Sequence, residues 1–287
     1  MKRRWAVLFA VALPTLGSAG GFECLVEASQ VVEIRPAVDG VIARVSVQRG
    51  ELVRKGQVLV ELDSAAERVA VESARYRSTM NGQVATAQNR LDSAVRKLAR
   101  AEDLYRHNFT SAQARDDADA ERRLAESELQ VAVESRELAK IEYRRAVEQL
   151  ALRTLTSPFN GVVVDRMLNP GDLAESGAGR KGVLKIAQID PLRVDIVLPD
   201  SVFGQPKPGT KATVVLAGSN VRHSASVKLV DRLIDAASST FVARLELPNP
   251  QHAISGGARC VAEIAGVEAP REARPRAQTQ QRQGNPL

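Results

Sequence analysis

Two stretches of this sequence decide its fold because they spell the same short motif twice: RPAVDGVIARVSVQRGELV, residues 35–53, and SPFNGVVVDRMLNPGDL, residues 157–173. In each stretch a proline precedes an Asp-Gly or Asn-Gly pair, and a second glycine follows ten positions after the first. An acidic residue and a leucine come directly after that second glycine. The repetition predicts two equivalent β segments separated by a long insertion.

Each stretch is predicted to form short strands joined by tight turns. Val- and Ile-rich runs end at glycines, which is typical of strands in hairpins. We expect four glycines to occupy structural turns, because glycine accepts the positive φ that tight turns demand. These glycines are Gly40, Gly50, Gly161 and Gly171.

The segment between the two β stretches is predicted to be helical. From Ser64 to Leu150 it contains no proline and a single glycine, and good helix formers dominate it. Apolar and small residues recur at heptad spacing in both of its halves, a pattern that predicts a coiled coil. They are Val84, Ala87, Leu91, Ala94, Leu98, Ala101 and Tyr105 in the first half, and Ala118, Ala125, Ala132, Ala139 and Ala146, with Leu124, Val131 and Leu138 beside them, in the second.

A short polar stretch, residues 107–111, separates the two helical halves. Either Thr110 or Ser111 can cap the helix that follows, through a side-chain oxygen on free backbone N–H groups. Two arms of nearly equal length, each roughly 40 residues and about 60 Å long, predict an antiparallel α-hairpin. The ends of such a hairpin finish side by side, so the two β stretches can meet and form one sandwich.

The remaining segments are a β-rich region and two termini of different character. Residues 190–264 contain short strand-like runs separated by Gly, Pro, Ser and Asn, as in a small barrel or sandwich. The Arg-, Gln- and Pro-rich residues 270–287 bury too little apolar surface to stay ordered. Cys24 and Cys260 could form one disulfide or remain two separate thiols, and no metal site follows from them.

The N-terminus is typical of an exported protein. A basic start, Lys2 to Arg4, precedes an apolar run and the small residues 17–19, so residues 1–19 are predicted to be a cleavable signal peptide, with an uncleaved anchor as the alternative. The apolar run is shorter than the roughly 20 residues that a spanning helix needs. Aromatic residues make up 3% of the chain and the net charge is +6, which argues against nucleic-acid binding.

The split β unit with a helical insertion resembles the periplasmic adaptor proteins, also called membrane fusion proteins. This family includes AcrA-type adaptors of RND pumps, MacA-type adaptors of ABC pumps and HlyD-type adaptors of type I secretion. The resemblance covers about residues 31–265 and rests on the repeated PxxDG/PFNG…G-[ED]-L halves, the helical insertion and DPLRVDIVLP at residues 190–199.

The resemblance implies an α+β, elongated multidomain protein with three structural parts. A split lipoyl (biotinyl-like) β-sandwich would comprise residues 31–63 and 152–189, and an inserted antiparallel coiled-coil α-hairpin would comprise residues 64–151. A small β-barrel would comprise residues 22–30 and 190–265, followed by a disordered polar tail, residues 266–287. The membrane-proximal domain of AcrA-type adaptors is expected to be absent or vestigial.

The predicted hairpin tip carries a further resemblance. In adaptors that dock on TolC-type outer-membrane channels the tip resembles Arg-x3-Leu-x6-Ser, and Arg100, Leu104 and Ser111 stand at that spacing. Arginine offers a planar set of donors, leucine an apolar contact and serine a helix cap. The resemblance therefore implies a channel-docking tip. The alternative is a solvated arginine, a leucine that packs in the seam and a serine that only caps.

For function, the resemblance implies a non-enzymatic periplasmic adaptor, peripheral to the inner membrane, in a tripartite efflux or secretion system. Its partners would be a TolC-type outer-membrane channel, an inner-membrane transporter of the RND class in preference to the ABC class, and further copies in a ring, a hexamer in the family. No phosphate loop, convergent His/Asp/Glu set or nucleophile motif is visible, and no cofactor is expected.

Two other functions stay open on the sequence. One is an exported structural coiled coil without a transport role. The other is a lipoyl or biotin carrier, which would present a modifiable lysine at the hairpin that joins the two halves. In this sequence the chain departs into the helices at that point, and Lys55 lies within the first half instead.

Overall fold

The computed structural model describes residues 21–177, 179–219 and 221–268. The predicted signal peptide, residues 1–19, and residues 269–287 of the predicted polar tail, 266–287, lie outside the described residues. The tail prediction begins too early, because Val267 is buried. Within the described ranges, no helix combines the length and the apolar character needed to cross a membrane. The described residues divide into two compact units, Val32–Ile186 and the residues on either side of it.

In chain order the elements are β1 (Phe22–Ile34), β2 (Gly40–Val45), β3 (Leu52–Val53), β4 (Val58–Leu62), α1 (Ala65–Thr79), α2 (Gly82–Arg106), α3 (Ala112–Ala151), β5 (Thr154–Thr156), β6 (Gly161–Arg166), β7 (Leu173–Ala174), β8 (Leu184–Pro199), β9 (Lys211–Leu216), β10 (Arg222–Val230), β11 (Thr240–Leu247) and β12 (Arg259–Ile264). A short 3-10 turn, Asp200–Val202, follows β8.

The unit Val32–Ile186 contains a small β-sandwich that both halves of the repeat build together. One of its sheets has the order β5-β4-β2-β7, so strands of the second half border strands of the first half on both sides. In the facing sheet, β3 of the first half pairs with β6 of the second. Both halves also contribute to one aliphatic core, in which Ile42, Leu59, Val163 and Leu184 are at most 1% exposed.

Two equivalent turns join the halves of the sandwich. The Gly50 N–H donates to the Val163 carbonyl at 2.8 Å, and the Gly171 N–H donates to the Ile42 carbonyl at 2.8 Å. Both glycines have a positive φ, +85° and +93°, which favours glycine over other residues. Each turn therefore bonds its own half of the repeat to the other half.

The acidic residue after each of these glycines has a local role. The Glu51 carboxylate accepts a hydrogen bond from the Gln48 N–H at 2.9 Å, and the Asp172 carboxylate accepts one from the Asn169 N–H at 2.8 Å. Each acid thus bonds the backbone three residues earlier and closes its turn. The glycine-acid pair is therefore repeated in the sequence because each turn needs a glycine with a positive φ and an acid that closes the turn.

The prediction of turn glycines is wrong for the other pair. Gly40 and Gly161 are the first residues of β2 and β6, and neither has a positive φ. Gly40 leaves room for the Arg153 guanidinium instead, since a Cβ there would lie 2.7 Å from the Arg153 Nη1 atom and would displace the end of that side chain. The Asp-Gly and Asn-Gly pairs therefore mark strand starts rather than tight turns.

Arg153 fastens the base of the helical insertion to the sandwich. Its guanidinium donates to the Asp39 carbonyl at 2.9 Å and to the Glu67 carboxylate of α1 at 2.5 Å, and both charged side chains of this ion pair are 22% exposed. The Asp39 carboxylate accepts hydrogen bonds from the Ser176 N–H and hydroxyl, which lower the pKa of Asp39. The start and the end of the insertion are thus held at one place.

The helical insertion is a hairpin whose first arm is broken. The second arm is the uninterrupted α3 of 40 residues, but the first arm divides into α1 and α2 at Met80 and Asn81, so the expectation of two plain arms is wrong. Buried Ala74 and Ala87 are thirteen positions apart, whereas two heptads span fourteen. Breaking the helix keeps both alanines against α3, and the Arg136 side chain bonds the Asn81 side chain at 3.0 Å.

The hairpin seam is lined by small residues. The buried members are Ala74, Ala87, Ala94, Ala118, Ala125 and Ala146. The larger residues beside the alanines of α3 face solvent instead: Leu124, Val131 and Leu138 are 62%, 64% and 58% exposed. Tyr105, the last predicted seam residue, is 40% exposed because the arms end there.

The second unit is a closed β-barrel. Its strands follow the order β1-β12-β9-β10-β11-β8, and β8 pairs back with β1. Cys24 and Cys260 face each other in the β1–β12 register, and the structure joins their sulfur atoms in a disulfide. The sequence alone left this pairing open.

A buried asparagine organises one loop of the barrel unit. The Asn249 side chain donates to the Ile189 and Ile254 carbonyls at 3.0 Å and accepts from the Ile254 N–H at 3.1 Å. Its backbone N–H donates to the Asp190 carboxylate at 2.8 Å, and the residue is 3% exposed. Asn249 therefore ties the start of the barrel part of β8 to the loop after β11.

We predict that Asn249→Ala lowers the free energy of unfolding by about 3 kcal/mol, because it leaves buried backbone groups without partners. Chemical denaturation of the full chain measures this loss. Gln251→Ala, in the exposed part of the same loop, is the matched control and should change stability little. Equal stability of the two variants would contradict the role assigned to Asn249.

Candidate functional site

The hairpin tip is built by a sharp turn at the end of α2. Asn108 has a φ of 62°, the left-handed conformation that often ends a helix. The Asn108 N–H donates to the Tyr105 carbonyl at 3.0 Å, and the Phe109 N–H donates to the Leu104 carbonyl at 2.8 Å. This pair of hydrogen bonds is a Schellman motif, which satisfies carbonyls that the helix end would leave free.

The start of α3 is capped by Ser111. Its backbone is extended, with a ψ of 158°, and its hydroxyl accepts a hydrogen bond from the Ala114 N–H at 3.2 Å. Of the two capping residues considered from the sequence, Thr110 and Ser111, the structure uses the second. The tip is therefore terminated by specific hydrogen bonds on both of its sides.

The three predicted docking residues all lie at this tip. Arg100 and Leu104 are four positions apart on α2, so they share one face of the helix, and both are exposed. Leu104 is 46% exposed and does not belong to the buried seam. Ser111 stands across the turn as the cap of α3. A role in docking stays a prediction for all three.

Charged side chains surround these residues without forming a strong field of one sign. The Arg115 guanidinium lies over the Tyr105 ring, 5.4 Å from its centroid, and a hydrogen bond to Asp116 raises the pKa of Arg115. On α2, Asp103 pairs with Arg106 at 3.3 Å. The charges of Arg115 and Arg106 are therefore partly neutralised by Asp116 and Asp103. Such a surface can make both polar and apolar contacts.

Sequence reasoning missed Phe109. It is 78% exposed, and the His107 ring lies 6.4 Å away with an interplanar angle of 20°. The signal was an aromatic residue inside a polar turn of a chain with only 3% aromatic residues. The tip thus presents an aromatic group in addition to the three predicted residues.

The described residues offer no metal centre. Across residues 21–268, apart from 178 and 220, no group of three or more His, Cys, Asp or Glu side chains is placed to hold a metal ion. Both cysteines are bonded to each other.

The model of the CzcB-like, barrel-sandwich hybrid domain family matches residues 30–187, more than half of the chain. The chain belongs to this family. The matched range covers the β-sandwich together with its inserted hairpin, so the CzcB-like domain is the repeat and its insertion. The resemblance to periplasmic adaptors that the repeated motif indicated is thereby confirmed.

Curated relatives of this CzcB-like protein extend beyond the matched domain. The efflux pump periplasmic linker BepD of Brucella suis is 24% identical over 85% of this chain and 62% of its own length. The cobalt-zinc-cadmium resistance protein CzcB of Cupriavidus metallidurans is 26% identical over 83% and 43%, and the multidrug resistance protein MdtA of Escherichia coli 27% identical over 80% and 54%. The chain spans between two fifths and two thirds of the length of these relatives.

Solved structures share the fold of the CzcB-like chain. MacA of Actinobacillus actinomycetemcomitans superposes with a TM-score of 0.71 at 23% identity, covering 86% of this chain and 79% of MacA. The membrane fusion protein Spr0693 of Streptococcus pneumoniae gives a TM-score of 0.59 at 18% identity, covering 85% and 98%. The folds of the sandwich, the hairpin and the barrel therefore each occur in known structures.

We predict that Ser111→Ala lowers the free energy of unfolding by about 1 kcal/mol through loss of the α3 cap, and that Ser111→Asp largely restores it, because aspartate also caps helices well. Thermal denaturation followed by circular dichroism on the full chain checks both. Ser93→Ala, on the exposed surface of α2, is the matched control and should not destabilise. A similar loss in Ser93→Ala would contradict a specific cap.

Proposed function

We propose that this chain is a periplasmic adaptor subunit of a tripartite efflux or secretion system, linking an inner-membrane transporter to a TolC-type outer-membrane channel. The observation that carries the proposal is the α-hairpin inserted into the split sandwich, with Arg100, Leu104 and Ser111 at its tip. Leu104 is 46% exposed at this end of the hairpin, so its apolar surface is available to a partner.

The names of the relatives support the transport role. One of them is named an efflux pump periplasmic linker, and the others are named for resistance to metals or drugs. The adaptor needs no catalytic residue, because the transporter supplies the energy for transport. For that transporter we propose the RND class in preference to the ABC class.

A stripe of exposed aliphatic residues on α3 supports self-association into a ring. Leu124, Val131 and Leu138 follow one another at seven-residue spacing, and a groove of about 680 Å³ beside the first two is lined by Gly82 and Thr86 of α2. Fourteen residues of helix extend about 21 Å, so only an elongated partner can cover the whole stripe. The hairpin of a second copy has this length and the same repeat.

Ion pairs mark the same flank of the hairpin. They join Lys97 to Glu121 at 2.5 Å, Arg90 to Glu128 at 3.1 Å and Arg77 to Glu142 at 3.5 Å. The glutamates are three or four positions from the stripe residues and therefore lie on the same side of α3. With these charges neutralised within one hairpin, the aliphatic stripe is free to determine how a neighbouring copy packs.

For the docking proposal, we predict that Arg100→Glu combined with Leu104→Asp reduces capture of the TolC-type channel at least tenfold, because it reverses a charge and desolvates a carboxylate in the contact. Co-purification from diderm cells that produce the tagged full chain and the channel is the measurement. Arg96→Glu, one turn away on α2, should leave capture unchanged. Undiminished capture by the double variant would contradict docking through Arg100 and Leu104, whereas no capture by the wild-type chain would favour an exported structural coiled coil.

For the ring, we predict that Val131→Asp shifts the full chain from oligomer to monomer in sedimentation velocity, because a carboxylate would replace an aliphatic contact. Ile141→Asp, at an α3 residue that is 52% exposed and lies outside the seven-residue repeat of the stripe, is the matched control. An oligomer of unchanged size in Val131→Asp would show that the stripe does not mediate self-association.

A further inference from the structure

Phe109 is an exposed aromatic that the fold itself does not use. It occupies the position after the left-handed Asn108, where a Schellman motif often places an apolar residue against the helix it follows. Such packing would cover the ring, in this case against Leu104. Phe109 is 78% exposed and Leu104 is 46% exposed, so little of either surface is covered by the other.

The turn holds Phe109 in a defined place. Its N–H is bonded to the Leu104 carbonyl at 2.8 Å, and the next residues lead directly into the Ser111 cap. The His107 ring lies 6.4 Å from the Phe109 ring, with an interplanar angle of 20°. A large apolar side chain on a short, hydrogen-bonded turn loses little conformational freedom when a partner covers it.

The surroundings indicate what would cover it. Phe109 and Leu104 are both exposed apolar residues of the tip. The same tip carries Arg100, together with Arg106 and Arg115, which are partly neutralised by Asp103 and Asp116. A protein pocket with an apolar floor and carbonyl or carboxylate acceptors at its rim fits this combination. Aromatic residues with neighbouring arginines are also the residue types that dominate binding energy at protein interfaces.

We propose that Phe109 is the apolar anchor of the tip and enters a pocket on the periplasmic end of the outer-membrane channel, with Leu104 lining the same contact. This inference rests on the proposed adaptor function and extends it beyond the Arg-x3-Leu-x6-Ser pattern. Continuity with that pattern commits the proposal to the channel: Phe109 lies between Leu104 and Ser111 in the same turn.

The first test measures binding of the full chain to the purified TolC-type channel of the same cell, reconstituted in nanodiscs. Burying a phenylalanine side chain is worth roughly 10- to 100-fold in affinity, so Phe109→Ala should weaken binding by that factor. Phe109→Trp should retain most of it. Tyr76→Ala, which removes an aromatic that is 70% exposed on α1, is the matched control and should bind like wild type.

Circular dichroism of each variant shows whether the hairpin is intact, and Phe109→Trp gives an informative comparison even if the alanine variant loses helix. Unchanged binding by Phe109→Ala overturns this inference and leaves the adaptor function standing. Absence of any wild-type binding to the channel overturns the adaptor function itself, and the inference with it.

The second test identifies the partner directly in cells. A photo-crosslinking phenylalanine analogue at position 109 should give a product with the channel, whereas the same group at position 76 should not. A product only with another copy of this chain, or with lipid, would overturn the assignment of Phe109 to the channel.

Discussion

The backbone hydrogen bonds from Gly50 to Val163 and from Gly171 to Ile42 join two segments that are far apart in the sequence. Each turn finds its acceptor only in the other half, and each half contributes part of one aliphatic core. The sandwich therefore exists only when the intervening segment returns to its own starting point. A helical hairpin satisfies that condition, and the bonds of Arg153 to Asp39 and Glu67 hold its base closed.

The same requirement shapes the hairpin. Its arms must stay in contact along their length so that the ends remain together. The alanines of the seam are small enough to let the arms approach closely, but they must recur every seven residues to stay in the seam. Between Ala74 and Ala87 the first arm has thirteen positions, one fewer than two heptads need. The break at Asn81, bonded to Arg136, absorbs the difference. Because the seam uses small residues, the large aliphatics of α3 are left on the surface, where they can serve association between molecules.

Much of this architecture could be predicted because repetition and periodicity are local properties of the sequence. The glycine-acid turns of the two halves, the helical insertion and a cap at Thr110 or Ser111 each follow from a few neighbouring residues. Features that depend on two distant segments could not be predicted. The constraint on Gly40 comes from Arg153, and the break in the first arm is evident only when its repeat is compared with that of α3. The exposure of Leu104 and Phe109 likewise depends on where the turn places them.

The disulfide joins Cys24 to Cys260, which are 236 positions apart in the sequence. The segment between them includes the whole sandwich and hairpin. In the chain-entropy model, a covalent loop of this size lowers the conformational entropy of the unfolded state. The loss raises the free energy of unfolding by about 5 kcal/mol. The disulfide also keeps the two parts of the chain linked after a single cleavage of the backbone between the cysteines. A protease that cleaved the exposed turn at Asn108 would leave two fragments that remain covalently attached, with the alanine seam and the shared core still holding them in register.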